Sequence, residues 1–475
     1  MPFNVRLLTR GFALGATLVA ASAAAQPADV VRARQLLAEA RTVAEKWSDP
    51  DPARFMVGQV AGAQARAGDR QAALATATSI SRTGWGWMAA AKGFADAGDV
   101  DAALEFADKI DSRDDMMSKI LQQNLERDDT LREVALRRTQ RGDFKGTLRA
   151  IRAIGFSPIA ARGYAALAEA QARAGDAAEA RRSFALAASA ADQAQPNPYV
   201  AIMQLPAWDD IAKSQWRAGD RTAALAAFDK GLAAARRTPD GYHDCAFAIH
   251  AADRAEVGDV AGALRILQEV KEPRRMPAAP EVARMARGLA EAGQHERALE
   301  AAAMASGDWR VNAAAELGGV YLRKGDARRA AEIFERVIAA AERTVPDRTG
   351  PVVLVQDMPQ AVVRVQARDG DPTGALRSAD RLVRARPRDS DDIYGALATG
   401  QAEAGDSEAA LRTVALITGY PPQPEMWRAL GRAAGRRGNV DAVLARAPEA
   451  QNRRAALLIG LAEGLVERAE GIRPR

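Results

Sequence analysis

The chain has 475 residues, a formal net charge of +5, 48% hydrophobic residues and only 5% aromatic ones. That charge is too small and too dispersed for nucleic-acid binding, which needs a concentrated basic stripe; acidic and basic residues alternate instead, as on solvated helix faces. Such a length implies two or three globular domains, unless the chain is built of repeats that each contact only their neighbours.

In chain order, Arg6 and Arg10 precede an uncharged Ala-rich stretch from Gly11 to Ala25, with Ala23, Ala24 and Ala25 ahead of Gln26. This is the pattern of a cleaved secretory signal peptide, residues 1–25, too short to span a membrane stably. An uncleaved anchor is the alternative. Without the two arginines the net charge falls from +5 to +3. No later segment is apolar for 18 residues, so no stable membrane span is expected. Cleavage implies a periplasmic or secreted protein.

Residues 26–51 hold one helix, Asp29 to Trp47, patterned like the second helix of a hairpin and expected to cap the array. From 52 to 447 a glycine recurs at Gly68, Gly98, Gly142, Gly175, Gly219, Gly258, Gly293, Gly325, Gly370, Gly405 and Gly438, and Asp follows it in nine of the eleven cases. An Ala-rich helical pattern lies on both sides each time. Glycine stops the first helix in the left-handed conformation, and Asp caps the second. Spacings of 30 to 45 residues mean a tandem repeat.

Some inter-repeat stretches depart from this pattern. Asp115 to Arg127 reads as an extra helix. The runs YVAIMQLP, ending at Pro206, and PVVLVQDMP, ending at Pro359, read as ordered connectors. The segments after Gly175, Gly219 and Gly325 hold long second helices. Residues 448–475 form a closing amphipathic helix and tail.

Numbering each repeat so that the glycine is position 15 shows Ala or Gly at position 8 in ten repeats, from Ala61 to Gly431, and Ala at position 20 in nine. Small residues there let helix axes approach closely. Large residues occupy position 4 (Trp87, Tyr164, Trp208, Phe247, Tyr394, Trp427) and position 24 (Phe184, Phe228, Phe334). This layout resembles the tetratricopeptide repeat family, best at Leu317, Gly318, Tyr321, Ala330 and Phe334. The resemblance implies an all-α solenoid of about eleven helix-turn-helix repeats, an elongated superhelix on the order of 100 Å long if helices stack about 10 Å apart.

Catalytic signatures are absent from the sequence: no phosphate loop, no dinucleotide-binding glycine motif after a strand, no nucleophile elbow. Acidic clusters such as Asp389, Asp391 and Asp392 sit at helix starts, where they offset the helix dipole. His243, Cys245 and His250 do not share one helix face in ligand spacing, so no metal site is read there. His295 is read as a surface residue. No cofactor is expected.

In the resembling family, positions 2, 5, 9 and 13 of the first helix project into the concave groove. Here they place Phe55, Trp85 and Met88 at the N-terminal end and Arg364, Arg368, Arg428, Arg432 and Arg436 at the C-terminal end, with Glu425, Asp357 and Asp392 nearby. The aromatic end suits an apolar or extended peptide, and the arginines suit carboxylates. Packing between repeats is the alternative placement for these side chains. The expectation is a periplasmic, non-catalytic scaffold that binds a protein or peptide of the bacterial cell envelope. A glycan or peptidoglycan-fragment binder is the second reading, and an enzyme with an unrecognised site the third.

Overall fold

The computed structural model describes residues 27–80, 84–113, 115–193, 198–271, 278–305, 307–343, 359–418 and 423–472. The expected signal peptide, most of PVVLVQDMP and Asp357 lie outside them. Among the described residues all regular structure is helical. Alanine is the best helix former, and the recurring glycine divides its runs into hairpins. All eleven glycines have positive φ, from 69° at Gly68 to 106° at Gly370. The nine Asp residues that follow all accept a hydrogen bond from the backbone N–H three residues on. In two examples the Ala72 N–H donates to Asp69 at 3.1 Å and the Ala409 N–H to Asp406 at 3.0 Å. Each such cap contributes about 1 kcal/mol.

The first helices of the hairpins are α2 (Pro50–Arg66), α4 (Trp85–Ala97), α7 (Leu125–Gln140), α9 (Ser157–Arg173), α11 (Pro198–Arg217), α13 (His243–Glu256), α15 (Ala278–Glu291), α17 (Gly307–Arg323), α19 (Gln360–Asp369), α21 (Ser390–Glu403) and α23 (Pro424–Arg437). Their second helices are α3 (Arg70–Ser79), α5 (Val100–Ala107), α8 (Phe144–Arg152), α10 (Ala177–Asp192), α12 (Arg221–Ala235), α14 (Val260–Leu267), α16 (His295–Met304), α18 (Ala327–Arg343), α20 (Pro372–Ala385), α22 (Ser407–Val414) and α24 (Val440–Leu444). The first helices pack on one another in sequence order, while each second helix packs chiefly on its own hairpin. Position 8 sits at these contacts: Ala61, Ala91, Ala168, Ala212 and Ala398 are fully buried. A Cβ on Gly318 would lie 2.3 Å from the Phe334 ring.

Two local expectations are corrected. YVAIMQLP is not a connector: it forms the first turns of α11, with Pro206 inside the helix. The Asp115 to Arg127 stretch is not one helix. Asp115 caps a short α6 (Met116–Leu121), Gln122 then adopts φ 53°, and α7 starts at Leu125.

The larger correction concerns shape. The solenoid does not extend; it closes into a ring. The first helix, α1 (Ala28–Glu45), packs along the last, α25 (Gln451–Ala469), and α25 also packs on α2 and α23. Leu36 and Leu37 share one buried cluster with Leu457, Leu458 and Leu461. The two terminal helices are therefore the halves of a twelfth hairpin. α25 ends as the other first helices do, with Gly471 at φ 75° and the Ile472 N–H bonded to the Glu467 carbonyl at 2.9 Å. α1 carries Asp29, Ala33, Leu37 and Ala40 at the spacing of positions 16, 20, 24 and 27, and its Ala33, Leu37 and Ala40 are fully buried. Each half buries an apolar stripe that would otherwise face water, and that burial drives the join.

Contact at this seam is close because α23 and α25 meet through glycines. A Cβ on Gly431 would lie 2.4 Å from the Leu457 carbonyl oxygen, one on Gly435 2.4 Å from that of Leu461, one on Gly460 2.1 Å from that of Arg428, and one on Gly464 2.3 Å from that of Arg432. Each clash is with backbone, so only glycine permits this approach.

Candidate functional site

The first helices form the inner wall of the ring. At the seam, side chains reach past one or two intervening helices: Arg428 of α23 donates to Gln59 of α2 at 2.8 Å, and Arg141, just after α7, lies 3.5 Å from Glu470 just after α25. Such contacts are possible only on the concave side.

Closure brings together residues that the sequence placed at opposite ends. Phe55 and Trp85 pack edge to face, ring centroids 5.8 Å apart, and both remain exposed, at 49% and 38%. With Met88 and Arg428 they line one cavity of about 310 Å³ on the inner wall. Its floor is tight backbone packing between α2 and α4, where a Cβ on Gly93 would lie 2.1 Å from the Gly62 carbonyl oxygen. Arg364 and Arg368 line a second, larger cavity of about 480 Å³ between α17, α19, α21 and α23, with Glu316, Asp392, Thr399 and Glu425.

The arginines at the groove positions are not free cations. Each is held by a carboxylate. Arg364 makes a two-point contact with Glu403, its Nε 3.0 Å away. Arg368 binds Glu316 through both terminal nitrogens at 3.0 Å and also pairs with Asp369. Arg428 pairs with Glu463, and Arg432 and Arg436 both pair with Glu467. Glu467 is 1% exposed and also receives Arg66 of α2 at 3.2 Å. Burial alone would raise its pKa, but hydrogen bonds from Arg432 and Arg436 outweigh this and hold it below the usual glutamate range. Hydrogen bonds to Glu403 and to Asp369 likewise raise the Arg364 and Arg368 pKa values.

Similar pairs bridge many neighbouring first helices. Arg137 meets Asp96, Arg162 meets Asp210, Lys213 and Arg284 converge on Asp253, and Arg323 meets Asp369. The inner wall is thus a charge ladder that runs around the ring and across the seam. Sequence reading missed the acidic half of it. Glu463 and Glu467, four residues apart in the apolar stretch of α25 that begins at Ala455, were the available signal.

A second missed feature is buried in the wall. His250 and Asp209 are fully buried, and His250 Nδ1 lies 2.7 Å from Asp209 Oδ1. Arg254 Nε donates to His250 Nε2 at 3.2 Å, so Nε2 accepts and Nδ1 carries the proton toward Asp209. Burial pushes the Asp209 carboxyl up, and the His250 ring beside it draws it partly back. The group ties α11 to α13. Cys245 is half-buried, and burial followed by the charge of Glu281 raises its thiol pKa. His295 is not simply at the surface: its Nδ1 lies 2.8 Å from the Tyr321 hydroxyl. Among the described residues no group of three or more His, Cys, Asp and Glu could hold a metal, and no helix is long and apolar enough to cross a membrane.

No family model matches the chain, and no curated protein matches it. Solved structures with some likeness include Ton1535 from Thermococcus onnurineus NA1, 14% identical, covering 79% of this chain and 98% of that one at a TM-score of 0.30. The pentatricopeptide repeat protein PPR10 from maize is 16% identical, covering 94% and 70%, at a TM-score of 0.27. A circular tandem repeat protein of novel repeat topology is 14% identical, covering 93% and 97%, at a TM-score of 0.23. The fold assignment rests on the helices described above: the chain is an all-α helical-repeat solenoid.

Proposed function

We propose that this protein is a tetratricopeptide-like scaffold of the bacterial cell envelope, exported by its N-terminal segment, that binds a protein or peptide on the inner wall of its ring and performs no chemistry of its own. The observation that carries the reading is the wall itself. It combines exposed aromatic side chains at the seam with a cavity of about 480 Å³ whose polar groups converge from four helices. An extended polar segment can exchange hydrogen bonds with the rungs of the ladder, and a bulky side chain can seat against Phe55 and Trp85. The export expectation rests on the Arg6 to Ala25 pattern alone.

A photo-crosslinking residue at Thr399, on the inner wall, tests this in living cells against the same residue at Leu225, exposed on outer helix α12. A discrete adduct from Thr399 and none from Leu225 supports an inner-wall partner. Equal or reversed labelling overturns it. The second reading, a glycan-fragment binder, draws on the exposed Trp85 face, and sedimentation with cell-wall material separates it from the first.

A further inference from the structure

The seam cavity has a feature that the ladder lacks. Among the described residues Lys92, on α4, makes no hydrogen bond or ion pair, although it lines the same cavity as the exposed Phe55 and Trp85. The basic side chains named above are matched to carboxylates, and here Arg428 is already taken by Glu463 and Gln59. Its two carboxylates, Asp96 and Glu463, are already paired with Arg137 and Arg428, and beside them the cavity presents two exposed aromatic rings, a thioether and one uncompensated cation. Small residues make the room for it: Gly62, Ala63, Ala89 and Gly93 form the floor, and a volume of about 310 Å³ falls at the lower end for small-molecule sites, about 300–1,000 Å³.

We propose that this cavity binds a small amphipathic anion, with a flat aromatic body against Phe55 and Trp85 and a carboxylate or sulfonate on Lys92. An anionic partner converts the unpaired ammonium into a charge-assisted contact, and the ring faces supply the apolar area. The site is divided between the two ends of the chain. Phe55, Trp85 and Lys92 come from α2 and α4, whereas Arg428 and Glu463 come from α23 and α25. Its enclosing wall is complete only when the ring is closed, and a ligand that prefers the complete cavity stabilises closure by mass action. This goes beyond the scaffold reading and does not depend on it.

The test uses 2-naphthoate and its neutral methyl ester as probes, measured by calorimetry on the purified protein. Naphthoate is expected to bind at least tenfold more tightly than the ester and to raise the melting temperature. Lys92→Gln, which removes no internal contact, is expected to weaken naphthoate about tenfold and abolish discrimination from the ester. Trp85→Ala is expected to weaken both probes. Gly464→Leu, which blocks the α23–α25 contact outside the cavity, is expected to remove binding while the remaining helices keep their circular dichroism. Equal binding of acid and ester, or naphthoate affinity unchanged in Lys92→Gln or Trp85→Ala, overturns the site. Unchanged binding in a Gly464→Leu protein shown by scattering to have opened overturns its dependence on closure.

Discussion

Arg66 and Glu467 lie 3.2 Å apart, although one belongs to the first complete hairpin and the other to the last helix. Glu467 accepts from Arg432 and Arg436 as well, so one buried carboxylate holds three guanidinium groups from both sides of the seam. Removing it leaves those cations facing one another. Glu467→Ala is expected to cost at or somewhat below the about 3–5 kcal/mol typical of a broken buried ion pair, because the arginines still reach water. Thermal unfolding measures the loss, and small-angle scattering should show an enlarged radius.

The same carboxylate makes closure acid-sensitive. The Glu467 pKa is depressed in the fold, so its stabilising contribution is complete above the unfolded glutamate value. It disappears as pH falls through the lower folded value. Melting temperature should therefore drop below about pH 4.5 and be flat for this group at neutral pH. Glu467→Gln should melt lower at pH 7 and show a shallower acid decline. An identical acid slope in both proteins would place the sensitivity elsewhere.

Gly460 tests the glycine contact. A Cβ there would sit 2.1 Å from the Arg428 carbonyl oxygen, which cannot move without shifting α23. Gly460→Ala is expected to cost about 1–3 kcal/mol by overpacking, despite alanine's better helix propensity. Gly395, half-buried but with nothing within 4 Å of an added Cβ, is the control: Gly395→Ala should be neutral or stabilising.

Ala168 tests position 8 away from the seam. It is fully buried between α9 and its neighbours, and Ala168→Leu adds three heavy atoms there. A loss of about 1–3 kcal/mol is expected. Hydrogen exchange should rise around α9 and α10 before it rises in α19 to α23.

Much of the fold was legible because each hairpin is punctuated locally. Gly175 and Asp176 stop and restart a helix through their own backbone and side chain, and no distant residue is needed. The ring was not legible because closure is a sum of small rotations over every joint, and no single repeat encodes it. Two signals were nevertheless present: the paired glycines of Gly431 and Gly435 with Gly460 and Gly464, and a first helix shaped like a second helix without its partner. Of the residues read at groove positions, Phe55, Trp85, Met88 and Arg428 line one shared cavity. The ion pairs of Arg364, Arg428 and Arg432 were not legible because Glu403, Glu463 and Glu467 sit one repeat further on, at a spacing visible only once neighbouring helices are in register.

The split hairpin also changes how the molecule comes apart. A linear array of repeats frays from its two end units, which have only one neighbour each. Here α1 and α25 occupy each other's open side, so no unit has a bare flank from which unravelling can begin. During synthesis the reverse holds: Leu36 and Leu37 leave the ribosome some four hundred residues ahead of Leu457 and Leu461. Until α25 follows, that face is an adhesive surface, for which a chaperone or a second nascent copy can compete.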